Sequence, residues 1–151
     1  MGSTRLRRDD SDRTRSLHLP VAPTAIGVAR RAATRAAREA GLGPDRSDDL
    51  VVAVSEACTN ALEAQQRAGV TTPIEVSCRI VRRTLEVVVL DRGHGFAPES
   101  IAPRPPLAHP GHLDVERGWG IQLMRSLVDE LEFVGTDDGT AVVLRCHVRR
   151  D

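Results

Sequence analysis

The sequence contains no lysine; all 21 of its basic residues are arginine. A Schiff-base lysine and the lysine of a phosphate-binding P-loop are thereby excluded. The arginine-only usage itself is read as the codon bias of a GC-rich genome. Cysteine is sparse. Cys58, Cys78 and Cys146 each lie in an apolar run, and no Cys-x-x-Cys pair occurs. That usage argues against a zinc site or a disulfide framework and predicts free thiols in a reducing cytosol. An excess of either charge is also lacking, because 21 acidic residues balance the arginines. The balance argues against a protein that grips nucleic acid through bulk charge. No stretch approaches the ~18 apolar residues of a membrane span, and the N-terminal residues lack the apolar core of a signal peptide. A cytoplasmic protein without membrane or direct nucleic-acid contact is the expectation.

What is present is the composition of a soluble globular chain, with 40% hydrophobic and 28% charged residues. Its 151 residues fit one domain and can bury a core without staples. Residues 1–14 are mostly Arg, Asp and Ser and are expected to form a disordered tail. The folded domain is expected over 15–151. An edge strand is predicted at 16–21. A helix is predicted over 24–40, where Ile26, Ala29, Ala32, Ala33, Ala36 and Ala40 share one face. Arg31, Arg35 and Arg38 fall opposite, with Arg30 at the margin. Gly41 and Gly43 end that helix, and Asp45 or Ser47 is expected to cap a second one reaching about Gln66. Its apolar stripe is Leu50, Val54, Cys58, Ala61 and Leu62.

Beyond Pro73 the period changes to two. Ile74, Val76, Cys78 and Ile80 alternate with polar residues, Arg82-Arg83 fits a tight turn, and 85–90 reads as a central, valine-rich strand. Residues 97–116 hold five prolines and no clear period, and loops of that length are usually functional or disordered. A third helix is predicted over 118–128, then strands at 131–134 and 140–148 around Asp137-Asp138-Gly139. The expected fold class is α+β: a two-layer sandwich, with one mixed, mostly antiparallel sheet covered on one face by three helices.

Four places could carry chemistry. Glu56 and Asn60 are neighbours on one face of the second helix, and Asp49 and Glu63 extend the stripe. From periodicity alone this is the solvated side of an amphipathic helix. The chemical alternative is a carboxylate and an amide oxygen aimed together, able to serve as base and Mg²⁺ ligand. Asp91-Arg92-Gly93-His94-Gly95-Phe96 leaves a strand as D-x-G-x-G-F. It is either a tight exit turn or a carboxylate beside backbone that a ligand can approach closely. Gly118-Trp119-Gly120-Ile121 is expected to open a helix, where free N–H groups favour phosphate, with Arg117 just before it. Gly139-Thr140 alone is a hairpin turn. His18, His94, His109, His112 and His147 share no metal-ligand spacing.

The ordered conjunction is more specific than its parts. An E-x-x-x-N-A helix, a strand ending in D-x-G-x-G-F, a long loop, G-x-G-I and a final G-T resemble the N, G1 and G2 boxes of the GHKL (Bergerat-fold) ATPases and kinases. The resemblance covers residues 17–148. Residues 55–63 and 118–130 are most similar to the anti-sigma-factor serine/threonine kinases of bacterial partner switching. The resemblance implies Glu56 as general base and Asn60 as Mg²⁺ ligand. It implies Asp91, supported by Thr140, as partner of the adenine amino group, and Gly93 and Gly95 beneath adenine and ribose. Gly118, Gly120 and Ile121 would face the phosphates of ATP, with Arg117 as the nearest phosphate-binding arginine. Residues 97–117 would be the ATP lid. The implied partners are a sigma factor, an anti-sigma-factor antagonist phosphorylated on serine, and a second copy of the chain. Arg30 stands where family members place a partner-contacting arginine. Two features depart from the family: Ala64-Gln65 replaces a common His-Ala pair, and the lid is proline-rich. A nucleotide-gated binding module with little or no kinase activity is therefore the alternative function.

Overall fold

The computed structural model describes residues 14–93 and 112–149. The tail expected over 1–14 lies outside the described residues except for Thr14, which already belongs to the first strand. The elements run β1 (Thr14–Leu19), α1 (Thr24–Ala40), α2 (Pro44–Ala68), β2 (Ile74–Val81), β3 (Thr84–Asp91), α3 (His112–Leu127), β4 (Glu130–Gly135) and β5 (Thr140–His147). The strands form one sheet in the order β1-β2-β3-β5-β4. Every pairing is antiparallel, so the mixed sheet expected from the sequence is corrected among the described residues. Three helices and this sheet make an α+β fold.

Strand β3 is central, as its valine density predicts, between β2 and β5. Leu85, Val87, Val89 and Asp91 alternate inward. Across from them α2 contributes its predicted stripe, and Leu50, Val54, Cys58, Ala61 and Leu62 are all buried in the same core. Burying each larger aliphatic side chain contributes about 1.5–3 kcal/mol. Helix α1 packs through small residues. Its buried face is Ala25, Ala29, Ala33, Ala36 and Ala37, turned from the predicted stripe, so that Ile26, Ala32 and Ala40 are only half-buried. That turn carries Arg31 and Arg35 beside Ala32 and Ala36 on one wall of a cleft of about 530 Å³, whose other wall includes Leu17, Val76 and Cys78. Arg35 and Arg15 both bind Glu39, at 3.1 and 2.9 Å. Arg31, Arg35 and Arg38 are all exposed, away from the buried alanine face, as the sequence predicts.

Helix starts depart most from expectation. Neither Asp45 nor Ser47 caps α2. Gly43 does, in an extended conformation, with Pro44 following. Proline suits the first helical position because its missing N–H would be unpaired there anyway. Ser47 N–H instead donates to Gly43 O at 2.8 Å, as the first helical bond. The β2–β3 turn forms as predicted at Arg82-Arg83. Both residues adopt positive φ, 46° and 66°, as two-residue hairpins require.

Arg46, near the start of α2, ties the helix layer to the far end of the sheet. Its guanidinium donates to the Asp129 carboxylate and to His147 O, the latter at 2.7 Å. Asp129 also accepts the His147 N–H at 2.7 Å. Burial alone would raise the Asp129 pKa, but the His147 N–H and the Arg46 charge outweigh it and hold the carboxyl below the ordinary aspartate value.

Candidate functional site

Two groups of predicted residues lie along one helix. Glu56 and Asn60 sit half-buried midway along α2, on the side where α3 packs. A Cβ added to Gly120 would lie 2.9 Å from Glu56 Oε2 and 3.8 Å from Asn60 Nδ2. The structure thus joins three predicted site residues, because only a residue without a side chain lets α3 approach the Glu56 carboxylate so closely. Ile121 is buried in the core beside them. Asp49 stays half-buried, and Glu63 is exposed, 3.6 Å from Arg67.

The second group is at the sheet end nearest the C-terminal turns of α2. Asp91 closes β3 opposite Thr140, the first residue of β5. Its side chain is buried. Oδ1 accepts the Gly93 N–H at 2.9 Å, and the Thr140 N–H also donates to the carboxylate. Burial raises the Asp91 pKa, and the two backbone N–H groups offset only part of that rise. The approach of the surrounding backbone is tight. A Cβ at Gly139 would fall 1.9 Å from Asp91 O, and one at Gly93 would fall 2.9 Å from Ala64 O. The Thr140 hydroxyl is buried with no hydrogen-bond partner. An unpartnered buried hydroxyl is costly. Next to a buried carboxylate it supplies the acceptor and donor that a purine edge would use, so the residues present fit an adenine.

The third predicted feature is corrected. Helix α3 begins at His112, not at Gly118. Gly118 and Gly120 therefore lie inside the helix, and theirs are not the free N–H groups of a helix start. Acidic Asp114 and Glu116 ahead of the glycines supply the sequence preference for an earlier start. The Arg117 side chain, Gly95, and the lid residues before His112 lie outside the described residues.

Sequence reasoning marks Gln65 only as part of a departure from the family pattern and does not foresee its burial. It is fully buried. Its Nε2 donates to Thr72 O at 2.5 Å, and its Oε1 accepts the Arg92 N–H at 2.9 Å. The available signal was register: Gln65 follows Ala61 by four residues and so continues the apolar stripe of α2.

His147 Nδ1 lies 3.0 Å from Thr84 Oγ1, at the other end of the sheet. Among the described residues no three His, Cys, Asp or Glu side chains form a group able to hold a metal. Of the predicted residues, Asn60 is the one whose side-chain oxygen could serve a Mg²⁺ that takes its remaining ligands from phosphates and water. No described helix is long and apolar enough to cross a membrane.

Comparison with known proteins bears on this arrangement. The family described as the histidine kinase-like ATPase domain matches residues 19–146. The serine-protein kinase RsbW of Bacillus licheniformis is 32% identical over 136 residues, covering 87% of this chain and 84% of its own. The RsbW of Bacillus subtilis is 30% identical over 132 residues, covering 85% and 81%. In the crystal structure of the RsbU and RsbW domains of a Mycobacterium tuberculosis protein, a similar fold recurs with a TM-score of 0.66 at 21% identity. The match covers 92% of this chain and 33% of that longer one. A buried Asp–Thr pair at one end of α2, and a Glu–Asn pair farther along it, are therefore features of a chain that belongs to the histidine kinase-like ATPase domain family, among relatives of the RsbW serine-protein kinases.

Proposed function

We propose that this chain is an ATP- and Mg²⁺-dependent protein-serine kinase of a bacterial partner-switching system. In this reading it phosphorylates a serine of an anti-sigma-factor antagonist and sequesters a sigma factor. It would work in the cytoplasm as a homodimer. The observation that carries the reading is the alignment of two unlike polar sites along α2: a buried carboxylate beside an unpartnered hydroxyl at Asp91 and Thr140, and a carboxylate with an amide at Glu56 and Asn60.

Asp91 and Thr140 accept from and donate to the adenine edge, and the missing side chains of Gly93 and Gly139 let the surrounding backbone close tightly around that end. Asn60 would hold Mg²⁺ through its amide oxygen, and Mg²⁺ would supply neutralisation of charge on the phosphates. Glu56 takes the proton of the antagonist's serine hydroxyl as the serine oxygen attacks the γ-phosphorus and ADP leaves. Such chemistry asks the protein mainly for positioning and charge stabilisation. On the partner side, Arg30 is exposed on α1 and is the first candidate for a sigma-factor contact.

The test uses Glu56→Gln and Asn60→Ala, with nucleotide affinity measured by calorimetry and transfer measured in a single turnover on the antagonist. Glu56→Gln should retain ATP affinity and lose about 10²–10⁴-fold in transfer rate. Asn60→Ala should weaken Mg²⁺-ATP binding itself. Unimpaired transfer by Glu56→Gln would remove Glu56 from the role of base. The second reading is a nucleotide-gated partner switch with little kinase activity. It is favoured by the helical setting of Gly118 and Gly120, which offers no free helix start to the phosphates. Wild-type protein that binds ATP and its partners but transfers no phosphate would establish it.

A further inference from the structure

The adenine end, as read above, needs the Asp91 carboxylate in one orientation, yet Asp91 stands where a strand gives way to a loop. We propose that Gln65 is a positioning residue for base recognition: it fixes the backbone following Asp91 and so determines discrimination at the purine 6-position. This inference rests on the adenine reading.

Gln65 is the one glutamine among the buried polar residues, and both ends of its amide are engaged. Oε1 accepts the Arg92 N–H at 2.9 Å, immediately after Asp91. Nε2 donates to Thr72 O at 2.5 Å, in the segment leading to β2, and reaches Val70 O at 3.5 Å. A buried amide bridging two backbone segments immobilises both, because losing either bond would leave a buried group unpaired. The neighbouring residue, Ala64, adds a wall. Its carbonyl would lie 2.9 Å from any Cβ at Gly93, so the loop rests directly on the last turns of α2. Gly93 N–H then donates to Asp91 Oδ1 at 2.9 Å. The chain of contacts is continuous: the Gln65 amide holds Arg92, the Ala64 carbonyl bounds Gly93, and Gly93 orients the carboxylate. Gln65 touches neither nucleotide nor metal in this account; it acts through Asp91.

A purely structural glutamine would weaken the fold and all nucleotide binding alike. A positioning glutamine would selectively weaken recognition of the 6-amino group. The discriminating measurement is the ratio of affinities for ATP and for purine riboside triphosphate, which lacks that group. It is taken by calorimetry on wild type, Gln65→Met and Gln65→Glu. Methionine removes both hydrogen bonds at similar volume, whereas glutamate retains an acceptor for Arg92 N–H and loses the donor to Thr72 O. The wild-type ratio should fall about tenfold in Gln65→Met, the equivalent of one hydrogen bond, and less in Gln65→Glu. ATP affinity should account for the change, with the analogue's affinity nearly unaltered. If Gln65→Met does not fold, Gln65→Glu carries the test, and its ratio must still lie below that of wild type. An unchanged ratio in the folded variants, whatever their melting temperatures, overturns the positioning role and leaves the adenine reading intact. A wild type that binds the two triphosphates equally overturns the adenine reading, and this inference with it.

Discussion

Replacing Gly120 with alanine should separate stability from chemistry. Alanine inside a helix is favoured over glycine by about 1 kcal/mol, and Gly120 lies well within α3. Opposing this, the new methyl would sit 2.9 Å from Glu56 Oε2. The obstructing atom is the tip of a flexible side chain and not backbone, so the carboxylate can retreat about 0.5 Å to ordinary contact, for at most about 0.5–1.5 kcal/mol of rotamer strain. The two effects nearly cancel, and the melting temperature should shift by no more than about 4 °C. Chemistry has no such compensation. Misplacing a reacting group by ~1 Å costs on the order of 10²-fold, so a displaced Glu56 should slow single-turnover phosphorylation about tenfold or more while ATP affinity changes little. Thermal melts, calorimetry and quenched-flow transfer on one preparation make the comparison. Unchanged transfer would show that Glu56 is not held against Gly120 for its chemistry. A collapse in melting temperature would show that the backbone, not the carboxylate tip, yields.

Burial raises the Asp91 pKa, so its ionised form works against the native state, and the stability of the ligand-free protein relative to Asp91→Asn should improve as pH falls through that raised value. ATP affinity should weaken over the same pH range, above the usual titration of aspartate, and an Asp91→Asn variant should abolish that pH dependence; denaturant melts and calorimetry across pH test both. Asp129→Ala should cost about 1 kcal/mol in urea unfolding, since it removes the bonds that Arg46 and the His147 N–H make to the carboxylate, while Arg46 keeps His147 O. Because the folded Asp129 pKa is lowered, its contribution is present above the unfolded pKa and lost as pH falls through the folded one. Burial pushes the Cys58 and Cys78 thiols up to about 12 and about 11, so the native protein should resist a thiol reagent at pH 8, and urea should release all three cysteines; fast native labelling of Cys58 would contradict its burial.

The readable parts of the sequence were those governed by period and by short-range turn chemistry. Residues 24–40 carry their helix in the alanine spacing, and α2 declares its core face from Leu50 to Leu62. The Asp91 loop was legible because glycines follow a valine-rich strand directly. Long-range facts were not legible. Nothing local says that Arg46 meets Asp129 across 83 positions, or that Gln65 meets Arg92 across 27. The α3 start departs from expectation because two glycines resemble a helix boundary; tertiary packing of Gly120 against Glu56 offsets that residue's poor helix propensity. Pro44 was overlooked in favour of the conventional capping residues around it, although its fixed φ suits a first helical position.

Helix α2 also sets a limit on how this chain can change in length. Glu56 and Gln65 are nine positions apart on one continuous helix, about 13 Å along its axis. One inserted or deleted residue between Asn60 and Gln65 would turn Glu56 and Asn60 by about 100° relative to the Asp91 end. The two ends would then face different directions, with every individual residue still present. Length variation should therefore be tolerated before Gly43 or after Gly69, where loops absorb it, and be forbidden between those nine positions. Under the proposed function, the helix would serve as the gauge that keeps the base-reading end in phase with the phosphate end.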